Sequence, residues 1–94
     1  MIKHIVAFKL RDPADALDMK AILMGLKYEP LVRLWEVGIN SGNSGKPYEV
    51  VIYSEFDSMA DLLTFRDGAR HTEVKHAIAG FIETSGTIDY DADA

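Results

Sequence analysis

The chain has 94 residues, of which 48% are hydrophobic and 27% charged, and a formal net charge of −5. That describes one ordered domain with a modest core, and it argues against a nucleic-acid backbone or an anionic membrane as the main partner. With no cysteine in the sequence, disulfides, zinc–thiolate sites, iron–sulfur clusters and thiol nucleophiles are excluded. The first segment runs from Ile2 to Leu10 with period two. Ile2, His4, Val6, Phe8 and Leu10 lie on one side, and Lys3, Ile5, Ala7 and Lys9 on the other. A strand apolar on one face and half apolar on the other needs cover on both. Charges inside this segment fit neither a signal peptide nor a spanning helix, so the expected location is cytoplasmic.

Asp12 and Pro13 are a helix start, a cap followed by a residue whose missing N–H costs nothing in the first turn. Met19, Ile22, Leu23 and Leu26 follow at i, i+3, i+4 and i+7, predicting a helix over residues 14–28. Leu17, Ala21 and Met24 add a second apolar stripe, suited to a subunit contact, a cavity wall or a thick core. Pro30 ends the helix, and Leu31 to Ile39 reads as the second strand. Asn40 to Pro47 is turn chemistry. It is no phosphate cradle, because Lys46-Pro47 leads into a strand and not a helix.

Tyr48 to Phe56 is the third strand. Ser58 and Asp61 are spaced as a capping box for a helix with Met59, Leu62 and Leu63 on its apolar face and Gly68 as its stop. A further helix over residues 70–80 carries Val74, Ile78 and then Phe81. The last strand ends at Tyr90, leaving residues 91–94 as an acidic tail expected to fray. One domain over residues 1–94 therefore has the order β-α-β-β-α-β with its second helix broken. This is an α+β, ferredoxin-like chain: a four-stranded antiparallel sheet with helices on one face. The other face, with Ile5, Ala7, Val51 and Tyr53, is left bare and predicts a twofold homodimer.

His4-Ile5-Val6-Ala7-Phe8-Lys9, Glu36-Val37-Gly38-Ile39-Asn40, Ser54-Glu55-Phe56-Asp57-Ser58, His71 and Asp89-Tyr90, in this order and spacing, resemble the stress-responsive A/B barrel (Dabb) family. The family belongs to the dimeric α+β barrel superfamily, and the resemblance covers nearly the whole chain. It implies a homodimer whose two sheets form a barrel with the helices outside. Some members are plant stress proteins, and another is a cofactor-free polyketide cyclase with a histidine between sheet and helices. That catalytic histidine matches His71, and the strand-one histidine lining its pocket matches His4. The chain departs from the family in two places. Gly68-Ala69-Arg70-His71 keeps only the second histidine of a frequent His-Pro-x-His motif, and Phe65 stands where the cyclase has a tyrosine.

His71 shares the apolar stripe of Val74 and Ile78, and His4 lies on the apolar side of its strand. Together with Val6, Phe8, Leu63 and Phe65 they make one candidate pocket. In it His71 is a candidate general base and His4 an orienting or donating partner. The bland alternative is a pair of core histidines bonded to backbone or carboxylate. His76 reads as solvated, Glu55 and Asp57 as a cap and a salt-bridge partner, Asp89 with Tyr90 as an anchor at the dimer seam, and Trp35 as core or interface. No histidines stand at i, i+4, so no metal is expected, and no cofactor. The expected function is a small apolar pocket in a ligand-binding or non-catalytic dimer. The alternatives are a cofactor-free acid/base enzyme, cyclase- or isomerase-like, acting on a small carbonyl compound through His71, or a haem-binding, monooxygenase-like protein.

Overall fold

A computed structural model of the chain describes residues 1–42, 45 and 48–94. Strand β1 is Ile2–Leu10, β2 Leu34–Ile39, β3 Val50–Phe56 and β4 Ile82–Asp91; helices α1, α2 and α3 are Ala16–Leu23, Met59–Arg66 and Ala69–Ile78. The sheet order is β2-β3-β1-β4 with every neighbouring pair antiparallel, which is the ferredoxin-like arrangement. Strand β1 is central, as its two-sided apolar pattern requires.

Alternation sends Ile2, His4, Phe8 and Leu10 of β1, Val50, Ile52 and Phe56 of β3, and Trp35 and Val37 of β2 toward the helices, where they are buried. From the helices, Met19, Leu23 and Leu62 are equally buried. Each such side chain contributes about 1.5–3 kcal/mol relative to exposure.

The helix starts follow their caps. The Asp12 carboxylate accepts from the Ala14 N–H at 3.0 Å, and Ser58 Oγ accepts from the Asp61 N–H at 3.1 Å. A 3-10 turn at Pro13–Asp15 and another at Met24–Leu26 flank α1, so the predicted helix is nearly full length but only its middle is α-helical.

Several expectations need correction. Strand β2 begins at Leu34 and not Leu31, because the Val32 N–H turns back to the Glu29 carbonyl at 3.0 Å. On α2 the buried pair is Leu62 and Phe65, with Met59 and Leu63 exposed. Gly68 adopts no left-handed stop: its extended backbone (φ −72°, ψ 155°) is the N-cap position of α3. A Cβ there would come within 3.2 Å of the Phe65 carbonyl oxygen. Leu17 and Ala21 are exposed on the single chain, so of the three uses expected for their stripe they serve neither as core nor as wall of the main cavity. The tail is tied at its start, where the Ala92 N–H donates to the Met1 carbonyl at 3.0 Å.

The loop expected over 40–47 falls partly on residues 43, 44, 46 and 47, which lie outside the described residues. Its described part behaves as turn chemistry should. Asn40 Oδ1 accepts from the Gly42 N–H at 2.8 Å, and Gly45 takes φ +76°. No helix among the described residues is long and apolar enough to cross a membrane.

Candidate functional site

The helices cover β2, β3 and part of β1 but leave the inner side of β4 open, where Ser85, Thr87 and Asp89 are exposed. The result is a cavity of about 520 Å³ between helices and sheet. Val6, Phe8, Leu23, Leu26, Trp35 and Ile52 are among its apolar walls, and His4, His71 and Asp89 among its polar ones.

His4 reaches the cavity because even-numbered residues of β1 face inward. Opposite it on β4 the register sets Asp89, and opposite it on β3 Ser54. The Asp89 carboxylate bonds His4 Nδ1. A carboxylate only accepts, so Nδ1 carries the proton, and Nε2 of the neutral ring is left as an acceptor. Ser54 Oγ, fully buried, donates to the His4 carbonyl at 3.3 Å. The His4 ring also meets Phe56 edge-on at 6.4 Å between centroids.

His71 stands in the first turn of α3, half-buried, with Phe65 packed edge-to-face at 5.3 Å between ring centroids. Phe65 in turn touches Phe56 at 5.2 Å and Trp35 at 5.7 Å, so an aromatic cluster backs the imidazole. The Trp35 indole N–H donates to the Leu23 carbonyl at 3.0 Å, which fixes the ring and satisfies the end of α1. Burial, and then the positive charges of Lys75, of His4 in its protonated form, and of Arg66, hold the His71 pKa below its ordinary 6.5. Its imidazole is therefore neutral at pH 7 and free to accept a proton.

Of the residues singled out in the sequence, His4, His71, Val6 and Phe8 line this cavity. Phe65 lies behind His71 and not on the lining, and Leu63 points away from it, 38% exposed. An eight-residue helix with two adjacent leucines and a phenylalanine two residues on can be phased either way, and the aromatic cluster decides it. Arg70, at the departure from the histidine motif, lies outside the cavity lining. It pairs with Glu73 at 3.3 Å and covers Gly25, where a Cβ would stand 2.7 Å from its guanidinium.

Glu55 and Asp57 are occupied elsewhere. Tyr53 Oη donates to Glu55 at 2.6 Å, and Arg33 donates to Asp57 through Nε and Nη2 at 2.9 and 2.7 Å. His76 is exposed. Among the described residues no three His, Asp or Glu side chains are grouped to hold a metal ion.

Asp89, expected with Tyr90 as an anchor at the dimer seam, sits on the helix-facing side of β4 bonded to His4. Its period-two spacing with Ser85 and Thr87 was the available signal. Arg66 and Lys75, also on the cavity lining, were missed as well.

Comparison with known proteins agrees with this architecture. Among curated proteins no significant match is found. A dimeric protein of unknown function and ferredoxin-like fold from Bacteroides fragilis is 30% identical, with 96% of this chain and 94% of that one covered and a TM-score of 0.82. A Dabb family protein with a ferredoxin-like fold from Mesorhizobium loti is 22% identical over 96% of this chain and 94% of its own, with a TM-score of 0.78. A hydroxynitrile lyase from Passiflora edulis is 20% identical over 95% and 90%, with a TM-score of 0.76, a likeness of fold alone. The family model for the stress responsive A/B barrel domain matches residues 2–92, and the chain belongs to that family.

Proposed function

We propose that the protein is a homodimer that holds a small, largely apolar molecule in the cavity beside His71 and His4. The observation that carries this reading is the cavity itself, about 520 Å³, apolar along most of its wall, with two imidazoles and a carboxylate among its polar groups. Small-molecule sites take this form: an apolar enclosure of about 300–1,000 Å³ with a few placed polar groups.

The dimer half of the proposal rests on the outer sheet face. Val51 of β3, with Ile88 and Tyr90 of β4, lies exposed there beside the half-buried Ile5, Ala7 and Tyr53. A contiguous apolar patch on a small domain marks an interaction surface. The Bacteroides fragilis relative, itself dimeric, supports a second copy as the occupant.

A second reading is supported by the Asp89–His4 pair and the neutral His71: cofactor-free proton transfer on a small carbonyl compound. In that reaction His71 removes a proton from the carbon beside the carbonyl, an enolate forms, and the same proton or one from solvent returns to carbon. His4, oriented by Asp89 through Nδ1, stands on the same cavity wall as the partner for the oxygen end. Deuterium uptake into a small ketone in heavy water measures this step without knowledge of the natural substrate. His71→Ala is expected to abolish uptake while the variant still binds a neutral medium-chain alcohol with unchanged Trp35 emission response. Uptake that survives the substitution contradicts the enzymatic reading, and loss of alcohol binding in the unmodified protein contradicts the pocket reading.

A further inference from the structure

Resting on the pocket reading above, we propose that the cavity takes an amphipathic anion, a small carboxylate whose apolar body lies among the core side chains and whose charge sits between Arg66 and Lys75. Both residues line the cavity. Arg66 closes α2 and Lys75 stands one turn after His71 on α3, so the two lie on either side of the corner between the helices and line one cavity.

Among the described residues neither has an ion-pair partner, a condition shared with Lys3, Arg11, Lys20 and Lys27; what sets Arg66 and Lys75 apart is that they line the cavity. The chain carries 15 acidic residues against 10 Lys and Arg, so unpaired cations gathered at an apolar cavity run against its composition. Among the lining residues the carboxylate is Asp89, on the β4 wall and engaged by His4. Both cations lie near enough to His71 to act on it, adding, after burial, to what holds its pKa down. Long cationic side chains keep their heads in water until an anion arrives, at little cost to the empty protein. An apolar cavity ending in two such heads suits a molecule with an acid at one end.

The test uses Trp35, the one tryptophan in the chain and a cavity residue, as the emission reporter for octanoate and for octan-1-ol, which has the same chain and no charge. Octanoate is expected to bind roughly three- to tenfold more tightly, the range two partly exposed cations supply. Added salt is expected to erode that preference. The Arg66→Gln, Lys75→Gln variant is expected to bind acid and alcohol alike. Equal binding of acid and alcohol leaves the pocket reading standing and overturns the anion. A preference that survives the double substitution overturns the assignment to Arg66 and Lys75. Binding of neither probe overturns the pocket reading along with this inference.

Discussion

The two faces of the sheet are built from similar residues and have opposite fates. On the inner face Phe56 is 0% exposed and Ile52 5%, because α1, α2 and α3 lie over them. On the outer face Val51, next to Ile52 in sequence, is 37% exposed and Ile88 63%. Hydrophobicity alone does not tell these positions apart; what differs is the layer above them. The outer face is also not purely apolar. The Lys3 ammonium sits 5.8 Å from the centre of the Tyr53 ring, and the Tyr53 hydroxyl donates to Glu55. That hydrogen bond is the largest reason the Tyr53 pKa is raised. A face carrying such a network beside Ile5, Ala7 and Val51 suits a second protein surface with polar groups of its own.

The inner face is where the contrast breaks most sharply. Phe56→Ala removes a fully buried ring that anchors Phe65 and His4, and is expected to lower unfolding stability by about 3–5 kcal/mol in urea denaturation. Ile88→Ala in the same assay is expected to cost less, with a loss that comes from the subunit contact and therefore varies with protein concentration. Similar losses for both would erase the distinction between the faces.

A smaller effect comes from His71 on the inner face. Folding holds the His71 pKa below its unfolded value near 6.5, so the unfolded chain binds the proton first. The contribution of His71 to stability is complete above that value and shrinks as the pH falls from about 6.5 toward the lowered folded pKa. Urea midpoints measured between neutral and acid pH should therefore fall more steeply for the wild type than for His71→Gln. Parallel curves would place His71 in water.

The architecture was legible because it is written in local patterns. The period-two run from Ile2 to Leu10 gave the central strand and its inward side, and Asp12, Pro13 and Ser58 gave the helix starts. Phase was harder. Leu31 and Val32 looked like strand, but a turn to Glu29 uses their backbone first. Leu63 beside Leu62 left α2 free to rotate until Phe65 met Trp35 and Phe56. His4 and His71 could be named from their apolar settings. The Asp89–His4 pair could not, because it joins residues 85 positions apart through a strand register that no local signal encodes. Nothing local marks Arg66 or Lys75 as different from a solvated charge, and only the cavity beside the corner of α2 and α3 brings them together.

Whether the outer face has a partner is the point on which the two-faced account stands, and analytical ultracentrifugation at micromolar protein measures it directly. A stable particle of twice the 10.5 kDa chain mass is expected, reduced to single chains by Val51→Glu with Ile88→Glu. A folded wild-type chain sedimenting at 10.5 kDa would contradict it.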